Sequence, residues 1–366
     1  MTVPCDRCDE SREKGYRFCI YCGEMLGPLP RSGCERCEEC RKNGNIYCTY
    51  CGKRLVEEEN PFLKIGFYIG LVTATLLSFL LLFEYFVALW GIPQVLPHLP
   101  DYGSTLILVI PVVVDVVSFN GVMSQIYYLM LVLAVTVCLA LYAYKSFGPA
   151  KNLFKGDDRS IRNTAFYDVC VLFSTLFFWE FALILILNAL GIETNPLPKR
   201  DDWVWMYEFI EASVWEEVIT RMLMIGLPVT LVALLMKQEG KGSLKYLFGG
   251  MGFNKFTIVL IFFSALMFAA GHVGGWGWWK FFPTFAFGLI TGYLFCKYGV
   301  YATIMMHFLT DYVSAESWFF NCDSPVATAL MIMLLSLACI PFTFVYLKRG
   351  AVALYDIFVD QSKGLK

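Results

Sequence analysis

Long apolar segments fill most of the chain after residue 60, and they constrain its fold more than any other feature. Apolar residues make up 57% of the chain and charged residues only 16%, whereas typical soluble domains carry about 25% charged residues. Blocks close to the ~20 residues that a helix needs to cross the hydrocarbon core recur along this part. The sequence therefore predicts an all-α polytopic membrane protein, integral to the bilayer and surrounded by membrane lipid.

We expect about eight membrane-spanning helices, at residues 62–90, 122–144, 164–190, 206–236, 256–272, 281–297, 300–319 and 326–347. Residues 104–119 are also apolar, but Pro111 and Asp115 interrupt them. Counting this segment as a span would place the basic loop at 145–162 outside, so we interpret it as re-entrant or interfacial.

The basic residues favour a topology with the N-terminus in the cytosol, because inner loops are rich in Lys and Arg. The inner loops and tail would hold Lys145, Lys151, Lys155, Arg159, Arg162, Lys237, Lys241, Lys245, Lys255, Lys297, Lys348, Arg349, Lys363 and Lys366. The outer segments would hold only Lys199, Arg200 and Lys280. No short apolar leader precedes the first span, so we expect the polar N-terminal part to stay cytosolic. Trp276, Trp278 and Trp279 fit an interfacial belt, and the alternative is that they line a site.

Two sets of four cysteines with the same spacing, CxxC-x10-CxxC, lie in this polar part as an internal repeat. They are Cys5, Cys8, Cys19 and Cys22, then Cys34, Cys37, Cys48 and Cys51. Paired CxxC turns can aim four thiolates at one tetrahedral Zn²⁺. We therefore predict a zinc ribbon at 1–29, a second at 30–56, and a membrane domain at 57–366. Cys40 matches Ser11 of the first repeat and is interpreted as a spare thiol.

A disulfide framework or redox pairs are the alternative for these cysteines, and the expected cytosolic location argues against both. The ribbons resemble the double zinc ribbons of many prokaryotic membrane proteins, which implies binding of a cytosolic partner. A net charge of −2 gives no clear signal for nucleic acid.

Ionisable residues inside the apolar helices form three patterns. They are Glu216, Glu217 and Arg221, then His272, then His307 and Asp311. A charged side chain in mid-bilayer costs roughly 2.5–3.5 kcal/mol on insertion scales. Such groups persist when they face each other or a wet cavity, so we expect them to converge in one functional site.

Helical spacing predicts which of these side chains share a face. Glu217 and Arg221 can form an ion pair, and Glu216 is turned about 100° away and stays free. His307 and Asp311 lie on one face, and His272 would come from a facing helix. Such a group can activate water, with a Glu as general base and His, or a His-bound metal, polarising a carbonyl.

The order Glu216-Glu217-x3-Arg221, Phe268-x3-His272 and His307-x3-Asp311 resembles the three motifs of the type II CAAX prenyl endopeptidase family, the CPBP or Abi intramembrane proteases. The resemblance covers about residues 160–347. It implies that Glu216, assisted by His272, is the base that activates water. It also implies that Glu217 and Arg221 hold the helix and the substrate backbone. His307 and Asp311 would stabilise the oxyanion or contribute to a divalent metal site.

The third motif departs from the family, where it commonly ends in Asn. An ionised Asp311 cannot donate a hydrogen bond to an oxyanion. It could be protonated, orient His307, or bind metal. The predicted helix boundaries also place His272 near the outer end of its helix and His307 nearer the inner end of its own. The helices would have to shift, tilt or break for the two rings to meet.

The main functional hypothesis is an intramembrane endopeptidase that acts on a peptide or protein, lipidated or not. The first alternative is a non-catalytic, membrane-anchored adaptor or immunity-type protein that binds partners through its ribbons. The second is a metal-sensing transporter, since charged residues within spans also occur along ion paths.

Overall fold

The structure is a computed structural model that describes residues 5, 7–22, 24–26, 36–43, 45, 47–52, 61–110, 112–153, 158–192, 194, 200–236, 240–313 and 325–358. The chain forms two compact units, Met1–Ile65 and Gly66–Lys366. The predicted ends of the two ribbons, at residues 29 and 56, stay predictions.

The first unit buries few apolar side chains. In its described residues they are Phe18 and the cysteines Cys8, Cys19, Cys40 and Cys48. Two short helices, α1 (Cys8–Glu13) and α2 (Cys37–Lys42), each begin at the second cysteine of a repeat. So small a core gives little stability by itself, which is the usual situation of metal-stabilised domains.

The two cysteine repeats pack against each other within this unit. The backbone N–H of Arg17 donates to the carbonyl oxygen of Thr49, at 3.0 Å. Gly52 has a φ of +70°, and a Cβ atom there would lie 2.5 Å from the Phe18 ring. The two repeats therefore share backbone and side-chain contacts and are not two separate domains.

The second unit is predominantly helical. Its α-helices are α3 (Pro61–Val95), whose first five residues belong to the first unit, α4 (Leu99–Tyr102), α5 (Val122–Leu153), α6 (Asp158–Arg162), α7 (Ala165–Ala189), α8 (Asp202–Glu211), α9 (Leu227–Leu235), α10 (Lys255–Trp276), α11 (Phe281–Tyr298), α12 (Val300–Asp311) and α13 (Pro325–Phe358). Short 3₁₀ segments occupy Gly240–Phe248 and Trp278–Lys280.

Among the residues that the structure describes, five helices are long and apolar enough to cross a membrane. They are Lys64–Val95, Val122–Leu153, Ala165–Ala189, Asp202–Leu235 and Lys255–Trp276. The last three of the eight predicted spans coincide with helices α11, α12 and α13, of which α12 ends at Asp311 and not at residue 319. The prediction of an all-α polytopic membrane protein is confirmed.

Residues 104–119 form a β-hairpin, which the interpretation as a re-entrant or interfacial segment did not specify. Strands β1 (Ser104–Ile110) and β2 (Val112–Phe119) pair in antiparallel orientation, with an irregularity between Leu106 and Ile107. The segment is rich in Val and Ile, which favour strands. Gly103 and Gly121, with φ of +77° and +63°, flank it. The apolar run is therefore extended rather than helical.

Helix α11 runs between α10 and α12 and brings them together. A Cβ atom on Gly288 would lie 2.8 Å from the Ala265 Cα, and one on Gly292 would lie 2.8 Å from the Ile261 side chain. Small residues four apart allow such close approach between membrane helices. Because α10 and α12 both run antiparallel to α11, their C-terminal ends lie on the same side of the bundle.

A buried carboxylate ties three helices together away from these ends. Asp168 of α7 is 1% exposed and accepts hydrogen bonds from the Lys297 ammonium (2.7 Å) and the Tyr298 hydroxyl (2.8 Å) of α11. The Tyr346 hydroxyl of α13 donates to its other oxygen at 2.6 Å. This group has its partners within the bundle and is a structural anchor.

Candidate active site and cysteine sites

The long helix that carries the first motif changes its hydrogen-bonding pattern at the motif. It is π-helical at Ala212–Glu216 and again at Val218–Gly226. π-Helical turns are rare and occur frequently at functional sites. The Glu216 side chain is 24% exposed, whereas that of Glu217 is 0% exposed. The two adjacent carboxylates therefore point in different directions, as helical geometry predicts.

Glu217 binds two cationic or polar groups in the protein interior. Its Oε1 atom accepts a hydrogen bond from Nδ1 of His307 at 2.9 Å. Its Oε2 atom lies 3.3 Å from Nε of Arg221, whose side chain is also 0% exposed. The predicted pair of Glu217 and Arg221 is present, and it also fixes the orientation of the His307 ring.

Arg221 links the first motif to α10. Its Nη1 group donates to the Ser264 hydroxyl at 2.5 Å, and that hydroxyl donates to the carbonyl oxygen of Thr220 at 2.6 Å. The guanidinium carbon lies 5.5 Å from the centre of the Phe268 ring. A buried cation is tolerated when it is paired and hydrogen-bonded in this way.

His272 is oriented by the other residue of its own motif. Its Nδ1–H group donates to the carbonyl oxygen of Phe268 at 2.8 Å. The two rings lie 4.5 Å apart between centres. The four-residue spacing of Phe268 and His272 therefore positions the imidazole and leaves its Nε2 atom facing Glu216.

Glu216 lies between the two imidazoles. Its Oε2 atom is 3.8 Å from Nε2 of His272 and 3.7 Å from Nε2 of His307. This buried oxygen makes no hydrogen bond to any residue that the structure describes. Both distances exceed direct hydrogen bonds and fit a bridging water molecule. Three side chains from three helices thus converge on one point.

Asp311 lies beside the same imidazole nitrogen. Its Oδ2 atom is 3.5 Å from Nε2 of His307 and 3.2 Å from the Ser213 hydroxyl. The Ser213 hydroxyl also lies 2.6 Å from the carbonyl oxygen of Phe209. The Ser213 hydroxyl has one proton. It either shares this proton between the two oxygens, or donates it over the shorter distance while a protonated Asp311 donates across the longer contact.

The shorter α12 removes the expected conflict between the two histidines. His307 lies four residues before the end of α12 at Asp311, and His272 lies four residues before the end of α10 at Trp276. Tyr312 fixes the end of α12, because its buried hydroxyl donates to the carbonyl oxygen of Met206 at 2.6 Å. The error lay in the predicted boundary at residue 319.

A cavity of about 620 Å³ opens at this site. Glu216, His272, His307 and Asp311 all line it. The hairpin contributes Thr105 and Ile107 to its wall, and the indole N–H of Trp215 donates to the carbonyl oxygen of Ile107 at 2.9 Å. The hairpin is thus a wall of the site, which the sequence did not predict.

Trp276 lines this cavity and a smaller one of about 270 Å³. Glu216, His272 and Ile107 line both cavities. Trp276 therefore borders the candidate site, which is the alternative to an interfacial belt. Trp278, by contrast, is 78% exposed and fits such a belt.

The cysteines of the first repeat have the geometry of a four-thiolate site. The distance between sulfur atoms is 3.7 Å for Cys5 and Cys19 and 3.5 Å for Cys8 and Cys22. A tetrahedral ion with 2.3 Å bonds to sulfur requires separations of about 3.8 Å. Cys37, Cys48 and Cys51 are grouped in the same way in the second repeat, while Cys34 lies outside the described residues. Two cysteine groups can therefore hold metal ions.

The local environment divides the thiols of the first repeat into two kinds. Burial and the Cys22 thiol raise the pKa of Cys8 to about 12. Burial also opposes ionisation of Cys19, yet backbone N–H groups of Cys22 and Tyr21 and the Ser11 hydroxyl outweigh it and lower its pKa to about 6. Metal ligation requires thiolates, so a metal has to displace protons here.

Cys40 occupies the place of Ser11 in the second repeat, as the alignment of the repeats predicts. The Ser11 hydroxyl lies 3.7 Å from the Cys19 sulfur, and the Cys40 sulfur lies 3.8 Å from that of Cys48. Both side chains are buried beside a candidate ligand.

The membrane site differs from the cysteine groups in the spacing of its potential ligand atoms. Among the residues that the structure describes, groups of three or more side chains with ligand atoms within 4.8 Å of each other consist of cysteines alone. Glu216, His272, His307 and Asp311 do not form such a group. A catalytic divalent metal at this site stays a hypothesis without geometric support.

Residues 200–313 match the family model described as Rce1-like, Type II CAAX prenyl endopeptidase Rce1-like. This part of the chain is similar to that family. The match contains all three motifs, from Glu216 to Asp311, and is narrower than the resemblance expected over residues 160–347. The Rce1-like match supports a protease of the CAAX type. No curated protein and no solved structure matches the chain.

Several residues of the candidate site could not be found from the sequence. Ser213 and Ser264 contact motif residues, but isolated serines in apolar helices are common. Trp215 directly precedes the first motif, and Lys280 directly follows the Trp cluster. The spacing of neither residue indicates that it lines a cavity. Their roles depend on contacts between helices far apart in the chain.

Proposed function

We propose that this protein is an intramembrane endopeptidase that hydrolyses a peptide bond with a water molecule activated by Glu216. The observation that carries the proposal is the position of the Glu216 carboxylate oxygen, 3.8 and 3.7 Å from two imidazole nitrogens and on the wall of a cavity. A carboxylate so placed can accept a proton from a bound water while the imidazoles orient it.

In the proposed step the water oxygen attacks the carbonyl carbon and Glu216 accepts a water proton. The proton is then delivered to the leaving amine nitrogen as the carbon–nitrogen bond breaks. His272 donates its Nδ1–H to Phe268, so its Nε2 atom is free to accept from the water. His272 thereby holds the water beside Glu216.

The developing oxyanion needs hydrogen-bond donors. His307 is held by Glu217 through Nδ1, so a protonated His307 presents Nε2–H toward the site. A protonated Asp311 can donate beside it, in the role that Asn has in the family. In this proposal Glu217 and Arg221 are positioning residues that keep His307 in place.

The experiment uses purified protein in detergent or vesicles and a peptide with an apolar anchor. Cleavage in H₂¹⁸O should place one ¹⁸O atom in the new carboxylate. Glu216→Gln should lower kcat by about 10²–10⁴-fold, as expected for loss of a general base.

Glu208→Gln is the matched control, because Glu208 lines the same cavity but is bound by Arg200 and Tyr102. Its activity should stay near that of the wild type. Equal cleavage by wild type and Glu216→Gln protein would contradict the proposal.

The N-terminal unit is proposed to bind two Zn²⁺ ions, one in each cysteine group. What supports this is the sulfur separation of 3.5–3.8 Å in the first group and the repetition of its spacing in the second. The ions would stabilise the unit and take no part in the peptidase reaction. We place this unit in the cytosol, where it would recruit a substrate or a protein partner to the membrane domain.

A further inference from the structure

Lys280 lies on the wall of the candidate active site with no assigned role. It ends the Trp278–Lys280 turn and immediately precedes α11. Its ammonium donates to Glu180 of α7 at 2.5 Å and lies 5.7 and 5.3 Å from the ring centres of Trp276 and Trp279. The side chains of Lys280 and Glu180 are 23% and 20% exposed, and both line the cavity that holds Glu216.

The charge of this cavity is strongly asymmetric. Five carboxylates line it, those of Glu180, Glu208, Glu211, Glu216 and Asp311. Among the described residues on its wall, Lys280 is the one Lys or Arg. Apart from the imidazoles at the proposed reaction point, Lys280 is therefore the group on this wall that attracts an anion.

Every unmodified peptide carries one such group, the carboxylate at its C-terminus. We infer that Lys280 binds the C-terminal carboxylate of the substrate and so sets the distance between the chain end and the bond presented to Glu216. This inference rests on the proposed peptidase function. The inference identifies Lys280 as a residue that determines the substrate specificity of the proposed peptidase.

Glu180 is the group that the substrate carboxylate would replace. The pair is not fully buried and lies on the cavity wall, so an incoming carboxylate can reach the ammonium and compete with Glu180 for it. The displaced Glu180 side chain stays partly solvated in the cavity. Lys280 is therefore a preformed binding site for an anion, and Glu180 is the internal group that competes for it.

The test compares two versions of one fluorogenic, apolar-anchored peptide, one with a free C-terminal carboxylate and one with a C-terminal amide. The wild type should cleave the acid with a KM lower by about tenfold to a hundredfold, the effect of one charge-assisted hydrogen bond. Lys280→Met should remove this preference by raising the KM for the acid alone, with kcat nearly unchanged. Glu180→Gln should lower the KM for the acid.

Arg200→Met is the matched control. Arg200 pairs with the cavity carboxylate Glu208 but is not among the residues that line the cavity. This variant should keep the ratio of acid to amide cleavage. Because the ratio is measured within one protein sample, partial misfolding of a variant does not change it.

Direct binding separates this inference from the peptidase proposal. In Glu216→Gln protein, anisotropy of the two labelled peptides should show the same preference for the acid, and Lys280→Met in that background should abolish it. Equal affinity for acid and amide, or a preference that survives Lys280→Met, would overturn the inference even if cleavage depends on Glu216. A clear acid preference without any cleavage would contradict the peptidase proposal and leave the anion site in place.

Discussion

The cysteine unit and the membrane site bring reactive side chains together in opposite ways. In the first repeat all four cysteines lie within 18 residues, and two tight turns aim them at one point. In the membrane site Glu216, His272 and His307 come from three helices spread over more than ninety residues. Local spacing is enough to specify the first arrangement, whereas the second depends on how helices pack.

The comparison also shows two different sources of stability. The cysteine unit buries little apolar surface in its described residues, and we propose that it depends on metal ligation. The membrane site depends on a buried network, in which Glu217, Arg221 and His307 satisfy one another within the bundle. Each region should therefore fail under a different perturbation.

Metal removal should have the largest effect and should act on one region alone. Structural zinc contributes apparent free energies of about 10–16 kcal/mol to small domains at neutral pH. A strong chelator should unfold the N-terminal unit and leave peptide cleavage by the bundle intact. Metal content and trypsin sensitivity of residues 1–60 measure the first result, and the peptide assay measures the second.

Acid should produce the same unfolding without a chelator. Metal ligation requires thiolates, and burial raises the pKa of Cys8 to about 12. Protons therefore compete with the metal, and affinity should fall as the pH is lowered. Purified protein that contains no metal, or whose first unit stays protected after chelation, would remove the distinction between the two regions.

Loss of the buried cation should be the next largest effect and should act on the bundle. Arg221→Met leaves the fully buried Glu217 without its ion-pair partner, and breaking such a pair costs about 3–5 kcal/mol. Thermal unfolding in detergent should show a large drop in the midpoint. Arg200→Met, which breaks an exposed pair, should cost about 1 kcal/mol or less. Similar shifts for both variants would show that the network does not stabilise the bundle.

Substitution of Asp311 should sharpen the account of the site itself. If Asp311 donates a hydrogen bond, Asp311→Asn should retain most activity, because the amide is also a donor. Asp311→Ala should lose about 10²–10³-fold in kcat, as for removal of one oxyanion donor. If the Asn variant is as inactive as the Ala variant, an ionised carboxylate is required and the donor role is wrong.

The sequence predicted the side-chain pairs of the site better than its shape. Pairs on one helix, such as Glu217 with Arg221 and His307 with Asp311, follow from four-residue spacing and are present at 3.3 and 3.5 Å. The meeting of Glu216 with His272 could be expected from the cost of burying ionisable groups in lipid. The distances between them could not, because they depend on helix packing set by positions such as Gly288.

The elements that surround the site were harder to predict for local reasons. The hairpin was not recognised because its Val-rich strands have the hydropathy of a short span. The end of α12 at Asp311 was missed because apolar residues continue past it and Tyr312 stops the helix through a tertiary contact with Met206. The π-helical turns around Glu216 leave no known pattern in the sequence.

A double-mutant cycle on Glu216 and His272 tests most directly whether the separate helices build one shared water site. The kcat/KM for the apolar-anchored peptide is measured for Glu216→Gln, His272→Ala and the double variant. Because residues that act as a unit are strongly non-additive, the double variant should be about as active as the weaker single variant. Losses that multiply would show that the two residues act independently, and would contradict a shared catalytic water.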